Sequence, residues 1–335
     1  MYKRQEQKDK NQSAAKSLFL GNIPEEKLFP YPKMDKTESE TLEMVIESID
    51  RFMDGKEEYF RELDVKGEMP KELLDQMKEL GLFSTIVPEE YGGLGLSSRG
   101  YSRVIQQASK YDGSVSITMG AHSSIGMRGV LIAGNDEQKK KYLPDLASGE
   151  LIAAFCLTEP GSGSDAASIK TTAVKSEDGS WVLNGEKLWI TNGPIAGFYT
   201  VFAKTDSEKG KMSAFLVEAA WEGVSTGPKE DKMGLRASAT TTVLFKDVKI
   251  PAENLLGEEG QGFKVAMKIL NSGRTGLGGG CVGALKSCIE NSIAQSSERK
   301  QFGQRICEFG LIQMKIAQMT IDCFCLLYTS PSPRD

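Results

Sequence analysis

The chain has 335 residues, is 39% hydrophobic and 26% charged, and carries a net charge of -5. That length accommodates two or three domains of ordinary globular composition. The weak acidity, with no dense basic patch, excludes the electrostatic footprint of a nucleic-acid-binding protein.

Met1–Gln5 resembles translated adapter sequence, and residues 6–35 are polar and then loop-like, with Pro24, Pro30 and Pro32. From Lys36 to about Met53, Leu42, Val45, Ile46, Ile49 and Phe52 recur at helical spacing. Pro70 opens a second helix that runs to Leu80 and is stopped by Gly81. A glycine-rich loop, Pro88–Gly95, follows. Further helices are predicted over Ser98–Tyr111, Ser114–Ala133 and Asp136–Tyr142. The one histidine, His122, lies in the small-residue stretch Met119–Ile125, which reads as helix packing or a helix junction; with no second imidazole, most metal sites and triads are excluded.

Beyond residue 148 the period changes. Residues 151–157 form a short apolar run, and Trp181–Leu183 and Lys187–Ile190 flank Asn184–Gly185, a hairpin signal. Tyr199–Ala203, Met212–Val217 and Thr240–Phe245 continue the strand pattern, so a small barrel or sandwich is expected over about 150–255. The helical period returns from Gly262. One helix is expected over Phe263–Leu270, a second from about Thr275 to Lys300 and a third from Gly310 to Phe324. The third runs uncapped into Thr329-Ser-Pro-Ser-Pro333, where two prolines cannot continue it. Leu326–Asp335 also resembles adapter sequence, a native disordered tail being the alternative. No run approaches the roughly 20 apolar residues of a membrane span, and no signal-peptide core is visible. The cysteines at 156, 281, 288, 307, 323 and 325 lack C-x-x-C spacing and read as small buried thiols in a reducing compartment.

Four segments invite chemistry. Thr158–Asp165 follows a strand, and Gly161 and Gly163 would allow positive φ and close backbone approach; the loop suits a diphosphate, or a tight surface turn. Trp189 and Thr191 lie two apart on one strand face, which suits a flavin ring or a core indole beside a solvent-facing hydroxyl. Arg299 and Phe302 stand at a helix end, where a cation and an aromatic ring suit a diphosphate and a ring system or simply the helix dipole. Asn271–Arg274 reads as a pocket segment or a helix break with a solvated arginine. Gly278–Gly283 fits G-x-G-x-x-G, but a helix rather than a strand precedes it, so these glycines are read as close packing.

The α, β, α order, with Phe155–Asp165, Trp189–Gly193, Val87–Gly95 and Arg299–Gly303, resembles the acyl-CoA dehydrogenase family over residues 18–325. Leu18–Gly21 and Phe309–Gln313 make it most similar to the very-long-chain and ninth-member mitochondrial branch. The resemblance implies an α+β fold: an N-terminal extension (1–35), a helical domain (36–148), a central β domain (149–256), the start of a C-terminal helical bundle (257–325) and the tail 326–335. It implies FAD held by Phe155, Leu157, Thr158, Gly163, Ser164, Trp189, Ile190 and Thr191, with Arg299 and Phe302 reaching the flavin of the partner subunit in a homodimer or higher oligomer. Ser164, Asn271 and Arg274 are expected at the acyl-CoA.

The reaction implied is α,β-dehydrogenation of a long-chain acyl-CoA to a trans-2-enoyl-CoA in β-oxidation. Electrons leave to an electron-transferring flavoprotein on the mitochondrial matrix side, and peripheral inner-membrane association stays open. The family's catalytic glutamate belongs to a Glu-Gly-Thr segment absent here, and the substitute position near Gly273 has no carboxylate, since none occurs between Glu259 and Glu290. The chain as given is therefore expected to be inactive. A scaffold role in respiratory-complex assembly and an acyl-CoA oxidase are the competing readings.

Overall fold

The computed structural model describes Gly21, residues 34–206 and residues 210–329. The loop expected before residue 34, the Leu18–Leu20 part of the leading motif and the end of the tail lie outside the described residues.

Helices form where caps and apolar stripes coincide. Helix α1 (Lys36–Met53) starts at Asp35, whose carboxylate accepts the Glu38 amide at 2.9 Å, and buries Leu42, Ile49 and Met53. Helix α2 (Glu57–Lys66), absent from the sequence reading, buries only Phe60 and Leu63 before Gly67 ends it at φ 71°. Pro70 caps α3 (Lys71–Glu79) rather than entering its first turn. Helix α4 (Ser98–Tyr111) has the expected bounds and is capped by Ser97.

The single helix expected over Ser114–Ala133 is three pieces: α5 (Gly113–Gly120), a π-helical turn (Ala121–Gly126) and α6 (Arg128–Ala133). Helix α7 (Asp136–Ser148) opens with a reciprocal Asn135–Gln138 capping box and continues past Tyr142 through Pro144, because Leu143, Leu146 and Ala147 pack into the core.

The β region holds β1 (Ala153–Cys156), β2 (Thr172–Lys175), β3 (Trp181–Thr191), β4 (Phe198–Asp206), β5 (Lys211–Glu218), β6 (Val224–Lys229), β7 (Thr240–Ile250) and β8 (Leu255–Leu256) in one sheet. Its order is β6-β7-β3-β2-β4-β5-β8, with β1 parallel to β4. The sheet curls in barrel-like fashion: Trp181 meets Phe215 edge-on at 5.4 Å, and Tyr199 meets Phe245 at 6.4 Å. The other face carries Phe155, Phe198 and Phe202, with Phe155 against Phe202 and Phe198 against Tyr142 of α7.

Asn184–Gly185 is not a hairpin. Both flanks belong to β3, which pairs with β7 from Trp181↔Ile250 to Thr191↔Thr240 and bulges between Leu183 and Gly185. Gly185 sits at φ 154° against the Thr171 side chain, a place without room for a Cβ. A long antiparallel partner therefore outweighs the local turn propensity.

The gap between the helices expected over 263–270 and 275–300, and with it the helix-break alternative at Asn271–Arg274, is also absent. Helix α8 (Gly262–Glu298) runs 37 residues without interruption. Its glycines permit a close crossing with α4: a Cβ at Gly276 would lie 2.7 Å from the Tyr101 ring, and one at Gly279 or Gly283 would overlap Ser102 or Gln106. The G-x-G-x-x-G spacing is thus a helix contact, as the sequence reading holds.

Beyond α8, β9 (Lys300–Gln301) and β10 (Gln304–Arg305) form a hairpin turned by Phe302 and Gly303, both at positive φ. Helix α9 (Gly310–Thr329) packs Ile316, Met319 and Cys323 inward while Leu311, Met314, Ile321 and Phe324 are exposed. Contrary to the sequence reading, Gly310–Leu327, with mean hydropathy 1.3, is long and apolar enough by composition to cross a membrane. The cysteines also depart from expectation: only Cys156 and Cys323 are buried, Cys307 is half-buried, and Cys281, Cys288 and Cys325 are exposed.

Candidate functional site

The loop after β1 is tied down at both ends. Glu159 and Ser162 exchange backbone hydrogen bonds at 2.9 and 3.0 Å, making a tight turn around Pro160–Gly161, and Ser162 Oγ donates to Asp165 O at 2.6 Å. Beneath it, Lys187 Nζ donates to Glu159 Oε1 at 2.7 Å and to Leu157 O at 3.2 Å, with both charged side chains buried. Glu159 also accepts the backbone amides of Lys170 and Thr171, at 2.5 and 3.1 Å. One buried carboxylate therefore joins the start of the loop to its end and to β3. Burial opposes its charge, but Lys187 and these donors prevail and hold Glu159 below the usual carboxylate range. Gly161 and Gly163 do not take the positive φ expected of them; a Cβ at either would meet nothing within 4 Å, so they leave open space rather than a strained turn.

The end of β3 forms the second wall. A bulge between Lys187 and Ile190 puts Trp189 at φ 56°, its indole 62% exposed. The simple alternation expected of Trp189 and Thr191 is broken, and Trp189, Ile190 and Thr191 all line one cavity. That cavity, about 440 Å³, is also bounded by Phe155, Leu157, Thr158, Gly163 and Ser164 from the first strand and loop, and by Arg274 on α8. The fold thus gathers nine of the residues singled out in the sequence. Asn271 stands outside, though its Oδ1 accepts Arg274 Nη1 at 2.7 Å. Arg299 and Phe302 are exposed beyond α8 and take no part in the cavity, Phe302 being 94% exposed.

Ile125, Met267 and Leu270 also line this cavity and were missed. Met267 and Leu270 precede Arg274 at helical spacing, a signal that was available. Ile125 comes from the π-turn, whose register no local pattern announces. A second cavity of about 500 Å³ adjoins the first at Ile125, Thr191, Leu270 and Arg274 and continues between α4, α5 and α8. Its walls are almost wholly apolar. Burial pushes the Tyr101 hydroxyl up to about 12, so it stands there neutral. Among the described residues no carboxylate lines either cavity.

His122 lies apart from both. Its Nδ1 accepts the Ala153 amide at 2.9 Å and Nε2 faces Leu146 O at 3.0 Å, fixing a neutral ring with the proton on Nε2. Fully buried, it is pushed down to about 4. It joins the π-turn to β1, consistent with a helix junction.

Models of the acyl-CoA dehydrogenase N-terminal, middle and C-terminal domains match residues 39–150, 154–248 and 260–328. The very long-chain specific acyl-CoA dehydrogenase, mitochondrial, of Homo sapiens is 45% identical over 324 residues, 94% of this chain and 49% of that protein. The chain thus spans about half the length of the first curated relatives it matches. Among solved structures, an acyl-CoA dehydrogenase complexed with FAD from Bacillus anthracis superposes with a TM-score of 0.82 at 42% identity, covering 92% of this chain and 53% of that one. The butyryl-CoA dehydrogenase of Megasphaera elsdenii superposes at 0.83 with 36% identity, over 89% of this chain and 80% of its own. Three domain models in their order, and likeness to an enzyme covered over four-fifths of its length, make this chain a member of the acyl-CoA dehydrogenase family.

Proposed function

We propose that this chain forms the FAD- and acyl-binding part of a dehydrogenase that converts long-chain acyl-CoA to trans-2-enoyl-CoA and passes electrons to an electron-transferring flavoprotein in the mitochondrion. The observation that carries the reading is the junction of two unlike cavities at Thr191 and Arg274: one walled by hydroxyls, an indole and an open glycine loop, the other apolar. The first fits FAD, because the space at Gly163 is clear and Thr158, Ser164 and Thr191 offer hydroxyl partners beside the Trp189 face. FAD, when bound there, supplies the acceptor for the β-hydrogen as hydride. Arg274 offers a fixed positive charge at the junction, and the apolar cavity excludes water from an acyl chain.

The α-proton needs a carboxylate base. None of the described residues lining the cavities supplies one, so the chain by itself binds without sustained turnover. Arg299 and Phe302, exposed beyond the C-terminal end of α8, are assigned to the flavin of the partner subunit in a homodimer.

The purified chain should take up FAD stoichiometrically and perturb its visible absorption on addition of palmitoyl-CoA, with negligible dye reduction. Failure to bind FAD would remove the cofactor assignment; turnover at an ordinary enzymatic rate, about 10 per second, would remove the argument about the base.

A further inference from the structure

Three openings adjoin along α5 and the π-turn. The flavin-loop cavity meets the apolar cavity at Ile125, and the apolar cavity meets a cleft of about 310 Å³ through Gly113 and Leu235 alone. From Ile125 back to Gly113 the apolar cavity therefore runs roughly 18 Å along the helix. Past Leu235 the lining changes character: the cleft carries Glu57, Asp64 and Asp112 with Arg61. Leu235, 45% exposed, and Gly113 are the two residues that line both the apolar cavity and the charged cleft.

Leu235 is held in place from both sides. Its backbone is left-handed at φ 52°, a conformation that a non-glycine residue keeps only where its surroundings impose it. The imposing contacts are visible. Arg236 N and Ala237 N donate to Asp64 Oδ1 at 2.5 and 3.4 Å, anchoring the strap, residues 230–239 between β6 and β7, to α2. Lys232 Nζ donates to Ser238 O at 2.7 Å and Thr240 Oγ1 at 3.2 Å, closing the strap on itself. Opposite, Gly113 leaves the gap that the leucine fills: a Cβ there would lie 2.5 Å from Leu235 Cδ2. A backbone outlier, an anchoring carboxylate and a facing glycine all serve to place one apolar side chain across the cavity's end.

We propose that Leu235 is the end wall of the acyl-chain cavity and sets the longest straight chain that the cavity buries. This rests on the acyl-CoA reading above. A chain entering at Thr191 and Arg274 gains burial with each methylene until it meets Leu235, and beyond that point further methylenes meet only the charged cleft and water.

Binding of saturated acyl-CoAs from octanoyl to eicosanoyl, measured calorimetrically below their micelle concentrations on the FAD-loaded chain, tests this. Affinity should rise about fourfold per methylene while each is buried, and then level off. Leu235→Gly, which removes the side chain and suits the left-handed backbone, should move the levelling-off to chains longer by about two methylenes. Leu235→Phe should move it to shorter chains. Far-UV dichroism and thermal melts establish that each variant is folded. The same levelling-off length in all three folded proteins overturns the proposal. Absence of binding at every length in the parent overturns the acyl-CoA reading, and the end-wall role with it.

Discussion

At the scale of single residues, His122 links structure to pH. Its ring accepts one backbone hydrogen bond and donates another, so a second ring proton would face the Ala153 amide. The folded value is about 4, whereas an unfolded histidine titrates near 6.5. Between those values the unfolded chain binds a proton that the folded chain refuses. The contribution is fully present above about pH 6.5 and is lost as pH falls toward 4, amounting to roughly 3 kcal/mol. No other histidine of the chain titrates in this window. Urea unfolding at pH 7 and pH 5 should show about 2 kcal/mol of this loss in the parent and much less in His122→Gln; equal losses would remove the assignment.

At the scale of elements, the Glu159–Lys187 pair does for the loop what a hairpin turn would otherwise do. It ties β1's exit, the entry to β2 and the middle of β3 in one buried contact. Replacing Lys187 by Met leaves Glu159 buried with its charge unmatched and should cost about 3–5 kcal/mol. Lys187→Met combined with Glu159→Gln should be less destabilised than Lys187→Met alone, because the amide still accepts a backbone N–H without a net charge. Thermal melts of the two variants decide it; a double variant no more stable than the single would contradict the role given to the pair.

This contact also shows what the sequence conceals. Helices α1 and α4 were legible in the sequence, α1 from its apolar period, and the structure adds their caps at Asp35 and Ser97. Residues 157–164 and 189–191 were named as a site through the family resemblance, their local pattern alone leaving a surface turn and a core indole open. Non-local partners were not legible. Asn184–Gly185 resembles a turn until β7 pairs across it, Asn271–Arg274 resembles a break until α4 supports the helix, and α2 is too polar to declare itself. Arg274 was named, yet that it joins two cavities depends on how α8 crosses α4.

At the scale of the whole molecule, α9 is the exception to good burial. Leu311, Met314, Ile321 and Phe324 lie on one stripe, three and seven residues apart, facing away from the α8 contact. An apolar stripe of this kind drives association. The chain should therefore self-associate as concentration rises in sedimentation velocity, and Met314→Glu with Ile321→Glu should return it toward the monomer without changing its helix content. A parent that stays monomeric at every concentration would show that the stripe is tolerated in water.

The three tryptophans of the chain fall into unlike surroundings. Trp181 is 2% exposed inside the curled sheet, Trp221 is half-buried, and Trp189 stands 62% exposed on the cavity wall. The bulge that turns Trp189 into the cavity thereby separates two optical signals within one strand. Emission from the buried indole follows the integrity of the sheet. Emission from the exposed one follows whatever fills the space in front of it, with no label added.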